Sequence, residues 1–291
     1  MRAGSKRVLI TGATEGIGKA AAFQLAANGF EVILHGRNAE KAALVKQEIQ
    51  VRYPDAKLDI LIADLESRAD TVKLADTFNQ RYDSLDVLVN NAGGVMNKVR
   101  QETVDGWERT IALNVLAPFM CSALLLPALQ RRPGAKIINT SSMAHMLGKP
   151  NLDDLMYETK FNAQQAYGDA KLYIILLGVE FARRQQLADD PNRIGMYAFH
   201  PGVIASNFAK DSTSVYHHFF RWFRPFLSSV RQGADTMVYL AAQENVDLQN
   251  GGYYVKRKKK RARLPANARD VAEQLWERCE SLTGIRFEIP G

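Results

Sequence analysis

Tyr167 and Lys171 stand four residues apart in a strongly helical stretch, so both project from one face of a helix. An ammonium beside a phenol favours the phenolate. A tyrosine so placed can pass a proton to or from a carbonyl oxygen near neutral pH. The same spacing also occurs as an ordinary solvent-facing pair; Ser142, upstream at the end of an apolar run, favours the proton-transfer reading. A second feature could hold a partner for that chemistry. Val8–Gly18 (VLITGATEGIG) reads as a strand, a glycine-rich turn and a helix start. In such a turn Gly12 permits the tight bend, Gly16 lets backbone approach a pyrophosphate, and Gly18 allows close helix–strand packing. A pyrophosphate would meet free N–H groups and the positive end of the helix.

Positioning these groups takes alternating strands and helices. Short β-rich runs fall at Val8–Thr11, Glu31–His35, Lys57–Ile62, Leu85–Asn90, Lys136–Ser141 and Ile194–Phe199. Several are near-continuous apolar runs, as expected of parallel strands covered on both faces. Helix-length segments separate them, among them Ile17–Asn28, Ala39–Tyr53 and Arg68–Tyr82. Such alternation predicts an α/β chain with a doubly wound parallel sheet of the Rossmann type, three layers deep. No Gly, Pro or Ser-rich linker divides residues 1–291, so one domain is expected. After Gly202 the texture changes: residues 207–230 carry Tyr216, Phe219, Phe220, Trp222, Phe223 and Phe226, and read as an aromatic lid over a substrate pocket, with packing on the sheet as core the alternative. A helix near Gln232–Gln243, a short strand at Tyr253–Val255, a basic loop at 256–263 and a last helix near Ala268–Leu282 complete the expected elements.

The 291 residues are 46% hydrophobic and 24% charged, which excludes a disordered chain. The apolar run Val115–Leu129 carries two prolines and a serine and is too short to span a bilayer. Cys121 and Cys279 are too few for a disulfide framework or a thiolate metal site, and no metal is expected. With no secretory leader legible, the chain reads as cytoplasmic. Its net charge of +7 comes from one place. Lys256–Arg263 (KRKKKRAR) holds seven cations, which equals the whole excess of 38 Lys and Arg over 31 Asp and Glu. A generally basic face for nucleic acid is therefore not expected. The run reads first as a solvated loop, with contact to an anionic surface as the alternative.

The turn spacing T-G-x-x-x-G-x-G at Thr11–Gly18 resembles that of the short-chain dehydrogenase/reductase family. The resemblance continues in family order through Asn90-Asn91-Ala92-Gly93, Asn114, Ser141-Ser142, Tyr167-x-x-x-Lys171 and Pro201-Gly202, and covers residues 7–206. The glycine spacing does not match the longer epimerase-type branch. Ser142 and Tyr167 are separated by a longer stretch than in compact members. That stretch and the C-terminal LTGIRFE resemble the retinol-dehydrogenase-like and protochlorophyllide-reductase-like groups.

The resemblance implies four catalytic residues. Tyr167 is the general acid/base and Lys171 its partner, Ser142 holds and polarises a carbonyl, and Asn114, in the helical stretch T-I-A-L-N-V, supports a proton-relay water or else packs as a buried asparagine. It implies a cofactor site made of Gly12, Thr14, Glu15, Gly16, Ile17, Gly18, Arg37, Asn38, Asp64, Leu65, Asn91, Ala92, Gly93, Tyr167, Lys171, Pro201, Gly202, Val203 and Ser206. Within it Asp64 would contact adenine, or else cap the next helix. Asn91 and Gly93 would admit the ribose, or simply end a strand. Ser206 would bond the carboxamide.

The cofactor type is read at the end of the second strand. An acid there holds the ribose hydroxyls of NAD(H), whereas an arginine accommodates a 2′-phosphate. EVILHGRN ends in Gly36-Arg37 without an acid, so NADP(H) is expected over NAD(H), although Glu15 sits where NADP-preferring relatives often carry a basic residue. The expected activity is hydride exchange with an apolar ketone or aldehyde, or the corresponding alcohol. The expected partner is thus a small carbonyl or alcohol substrate, in a monomer or a homo-oligomer. The rival readings are a non-catalytic dinucleotide sensor or scaffold, and a peripheral anionic-surface binder. His200, at a strand end, reads as structural.

Overall fold

The computed structural model describes residues 5–94, 98–188, 194–202, 229–244 and 247–289. One eight-stranded sheet runs through it in the order β3-β2-β1-β4-β5-β6-β7-β8. The strands are β1 (Arg7–Ile10), β2 (Glu31–Gly36), β3 (Leu58–Ile62), β4 (Val87–Asn90), β5 (Lys136–Thr140), β6 (Gly195–His200), β7 (Tyr253–Val255) and β8 (Lys258–Lys260). All neighbours are parallel except β7 and β8. The chain works outward from β1 to β3, then returns to lay β4 on the other side of β1. The topological switch therefore lies between β1 and β4, the place where open α/β sheets leave a crevice at their carboxyl ends.

Alternate side chains of the inner strands feed two large apolar cores. On one face Leu9, Ile33, Leu88 and Ile137 meet α3 (Arg68–Arg81), α5 (Ala117–Leu124), α7 (Ala163–Ala188) and α9 (Ala268–Thr283). There Trp276 stacks on Phe287 with ring centroids 4.7 Å apart, and Phe119 meets both edge-on. Cys121 and Cys279 lie in this layer as buried free thiols. On the other face Val8, Ile10, Val32, Leu34 and Val89 meet α1 (Gly16–Ala27), α2 (Ala39–Arg52) and α8 (Val230–Ala242). Short polar side chains start several of these helices: Asn38 Oδ1 accepts from Lys41 N (2.8 Å), Ser67 Oγ from Asp70 N (3.2 Å), and Ser229 forms a reciprocal box with Gln232. The N-terminus of α1 has no side-chain cap. Lys136, buried in β5, donates to the carbonyls of Leu240, Ala241 and Gln243 at the carboxyl end of α8.

The structure corrects the expected elements in three places. The first is small: strand and helix ends shift by a residue or two, and Leu85 and Asp86 precede β4. The second lies around Asn114, expected inside an ordinary helix. After α4 (Arg109–Ile111) the chain makes a π-helical turn over Ala112–Leu116 before α5 and α6 (Leu126–Gln130). Asn114 Nδ2 donates to Thr110 O at 2.9 Å, a side chain competing for a helix carbonyl. Third, the basic run is not a loop throughout. Lys258–Lys260 pairs with β7 as the edge strand, because the buried Tyr253 and Tyr254 give it a ladder to join. Residues 203–228, which hold Val203, Ser206 and most of the expected lid, lie outside the described residues.

Candidate active site

The turn after β1 is tied to its surroundings through main chain. Thr11 Oγ1 accepts from Asn91 N (2.9 Å) and Ala92 N (3.0 Å) and donates to Val89 O (3.2 Å). Asn91 Nδ2 answers by donating to Thr11 O and Gly12 O at 3.0 and 3.1 Å, so this side chain fastens the end of β4 to the glycine turn. His35, at the end of β2, accepts from Gly12 N at Nδ1 (3.3 Å), which leaves Nε2–H to donate to Ala63 O (3.2 Å). Burial lowers the His35 pKa to about 4, so this clip is neutral. Two glycines are needed for distinct reasons. A Cβ on Gly18 would stand 2.2 Å from Gly12 O, whereas Gly16 takes φ +55° with nothing within 4 Å of where its Cβ would be. The α1 N-terminus is thus uncapped and open on its Gly16 side.

Beyond β2, Arg37 is 71% exposed and its Nη1 lies 3.8 Å from Glu66 Oε1. Glu66 is already held by a two-pronged Arg109 contact at 2.6 and 2.9 Å, so Arg37 is only loosely engaged. Glu15 pairs with Lys41 in the first turn of α2, which offsets the acid of the turn. Asn38 serves as the α2 cap, and Thr14 packs on Gly36. Asp64 does not cap α3; Ser67 does, and the Asp64 carboxylate, which is exposed, accepts from Glu66 N. Leu65 is buried in the core, and Ile17 packs half-buried against the other one. Ala92 and Gly93 continue β4 past the turn, and Pro201 and Gly202 do the same for β6.

The side chains of the second half converge on the same edge. Lys171 is buried in α7; its Nζ donates to Thr140 O at 3.0 Å and stands 5.4 Å from the centre of the Tyr167 ring. A methyl group on Gly93 would sit 3.4 Å from that Nζ and 2.5 Å from Asn114 Oδ1, so β4, the π turn and α7 meet within a few ångströms. Burial lowers the Lys171 pKa to about 7. Ser141 Oγ donates to Lys171 O (2.8 Å) and locks β5 to α7, which leaves Ser142 as the serine at the edge. Ser142 caps a 3₁₀ turn over Met143–Leu147 by accepting from Ala144 N at 3.2 Å. Asn114 Oδ1 accepts from Gly94 N (3.1 Å), and its Nδ2 donates to Gly94 O (3.0 Å).

Comparison with known proteins identifies the family. The family model described as short chain dehydrogenase matches residues 6–216. The chain belongs to the short-chain dehydrogenase family. It is accordingly an oxidoreductase, and its curated relatives put it in the retinol-dehydrogenase-like group. It is 34% identical to human retinol dehydrogenase 12 over 283 residues, covering 97% of this chain and 88% of that one. It is 36% identical over 280 residues to DnrU of Streptomyces sp. (strain C5), which carries the provisional name daunorubicin C-13 ketoreductase; the match covers 96% of this chain and 93% of DnrU. Among solved structures, a Mycobacterium paratuberculosis protein superposes with a TM-score of 0.77 at 28% identity, covering 98% and 95% of the two chains. The Pseudomonas aeruginosa RhlG/NADP active-site complex superposes at 0.66 and 25% identity, covering 85% and 93%.

Within this short-chain dehydrogenase, two neighbours of the candidate catalytic residues belong to no motif of the sequence analysis. Asp169, between Tyr167 and Lys171, is buried and accepts from Tyr157 Oη, from Gln165 Nε2 (2.8 Å) and from Lys149 N (2.5 Å). It ties the long stretch between Ser142 and Tyr167 to α7. Burial raises its pKa above the usual carboxylate range and pushes the Tyr157 phenol far up. Tyr157 holds φ +53°, an unusual conformation for a bulky residue and one that this contact maintains. The available signal was an acid on the apolar face of α7. His145 is the second neighbour. Its Nε2 accepts from Arg263 N (3.3 Å), so Nδ1–H donates to Ser142 O (2.7 Å). His200 is buried at the end of β6, with its pKa lowered to about 4 by burial and by His145.

Proposed function

We propose that the protein exchanges a hydride between NADP(H) and an apolar ketone or aldehyde, or the corresponding alcohol, with Tyr167 carrying the proton. The carrying observation is Lys171. Its ammonium nitrogen is held by Thr140 O, faces the Tyr167 ring at 5.4 Å and borders Gly93, at the edge where the glycine turn opens. The residues present fit a phosphorylated dinucleotide. The uncapped α1 end and the open Gly16 backbone suit a pyrophosphate, and the exposed Arg37 suits a 2′-phosphate. When bound, NADP(H) supplies or accepts the hydride.

The chain's own groups do the rest. Ser142 Oγ orients the carbonyl oxygen, and Tyr167 Oη gives it a proton in reduction or takes one in oxidation. Lys171, as an ammonium, makes the phenolate that remains less costly. With its pKa near 7, it changes charge in the range where the tyrosine must work. Asn114 holds the Gly94 backbone, which keeps the end of β4 against the π turn. Met143 and Leu147, more than half exposed directly after Ser142, favour an apolar substrate. A screen of NADPH oxidation over aldehydes, ketones and quinones tests the reading. Turnover with apolar carbonyls is expected; NADPH binding without turnover on any of them would leave a dinucleotide binder instead.

A further inference from the structure

The basic run is unabsorbed by the catalytic reading, and its structure is specific. β7 and β8 form a hairpin whose two-residue turn is Lys256-Arg257, both left-handed at φ +50° and +61°. A turn of this kind favours Asn-Gly, and two long cationic side chains there carry a backbone cost. The hairpin is anchored from behind. Arg257 pairs with Asp235 of α8, its N–H donates to Thr236 Oγ1 (3.2 Å), and Lys259 Nζ donates to Gln249 Oε1. All seven cations are exposed, and among the described residues only Arg257 meets a carboxylate.

The patch is not only charged. Arg263 donates from its backbone to His145 Nε2 and from Nη1 to Met146 O (3.1 Å), which docks the hairpin against the 3₁₀ turn that follows Ser142. Met143, Met146 and Leu147 of that turn are exposed, as is Leu264 beside Arg263. Among the described residues these are four of the ten large apolar side chains left open. Cations bordered by exposed apolar side chains match a lipid interface, where the apolar groups enter the headgroup boundary and the cations meet anionic lipid. A nucleic acid offers nothing to the apolar part, and the rest of the chain is electrically neutral.

We propose that the Lys256–Arg263 hairpin and the Met143–Leu147 turn form a docking surface for a bilayer carrying anionic headgroups, which seats the edge near Ser142 against the membrane. The docking does not depend on the catalytic reading. Among the described residues no helix is long and apolar enough to cross a membrane.

The test is sedimentation of the full chain with phosphatidylcholine vesicles, with and without roughly one-third phosphatidylglycerol, at low and high salt. Binding to the anionic vesicles alone, lost at high salt, is expected. The combined variant Lys258→Gln, Lys259→Gln, Lys260→Gln should keep the wild-type melting temperature. It should partition about a hundredfold less, at about fivefold per lysine. Met146→Gln with Leu147→Gln should weaken binding and leave its salt dependence in place. The proposal is overturned if wild type ignores anionic vesicles, or if it prefers double-stranded DNA at the same salt. It also fails if the lysine variant binds as wild type does, above all if that variant self-associates, because the lysines would then serve to keep the β8 edge from pairing.

Discussion

The proposed cofactor half and the proposed catalytic half of the crevice are built from opposite materials. Between β1 and β4 the working surface is main chain, and the side chains nearby turn inward to hold it: Thr11 and Asn91 fasten the glycine turn, and His35 clips it to β3. From β5 onward the working surface is side chain, and main chain turns inward to hold that: Thr140 O receives Lys171, and Lys171 O receives Ser141. A surface of backbone is specified by what is missing, since a methyl at Gly18 would collide with Gly12 O. A surface of side chains is specified by the partners behind it. Damage should therefore separate: rate in the second half, cofactor choice and affinity in the first.

The sharpest break is Tyr167→Phe. It should lower kcat by about 10²–10⁴-fold while NADPH still binds, as read by quenching of protein fluorescence. Loss of binding as well would merge the two halves. Next is Arg37→Ala, which should erode the preference for NADPH over NADH by about ten- to a hundredfold with kcat on saturating NADPH little changed. An unaltered ratio would assign the phosphate to another group.

Asp169→Asn tests whether support behind a side-chain surface matters as much as the surface. It leaves at least one of the Tyr157, Gln165 and Lys149 donors poorly matched, at about 1–3 kcal/mol. The melting point should drop by a few degrees, and amides of residues 148–162 should exchange faster than those of α1. The smallest effect concerns the His35 clip. Its folded pKa is about 4 against 6.5 unfolded, so the unfolded chain takes up a proton first as pH falls. The clip's contribution is complete above pH 6.5 and declines toward pH 4. His35→Asn should flatten that acid limb by about 1–2 kcal/mol, measured by denaturant melts at several pH values; an unchanged slope would place the acid sensitivity elsewhere.

The sequence disclosed these two halves unequally. Parallel strands covered on both faces are near-continuous apolar runs, so Val8–Ile10 and Val87–Val89 were legible at once, and a glycine turn declares itself by composition. Tyr167, Lys171 and Ser142 were legible by type, spacing and resemblance. Their supports were not. Asp169 meets Tyr157 twelve positions away, and His145 meets Arg263 more than a hundred away, so no local pattern marks either contact. The hairpin was missed because its turn breaks the usual residue preference and its second strand consists of lysine. β8 exists because β7 is there to pair with. Asn114 showed itself as a mid-helix asparagine, but the π turn arises from the extra bond it makes to Thr110.

The two buried thiols have a consequence for how the protein withstands its surroundings. Burial pushes the Cys121 pKa up to about 12 and that of Cys279 higher still, and neither sulfur is exposed. Thiolate is the form of cysteine that reacts with peroxide and with alkylating reagents, so both thiols are inert to these reagents while the chain stays folded. Activity should persist unchanged through oxidant levels that inactivate thiol enzymes. Iodoacetamide labelling would then proceed only through opened molecules, and its rate would report how often the layer of Phe119, Trp276 and Phe287 comes apart.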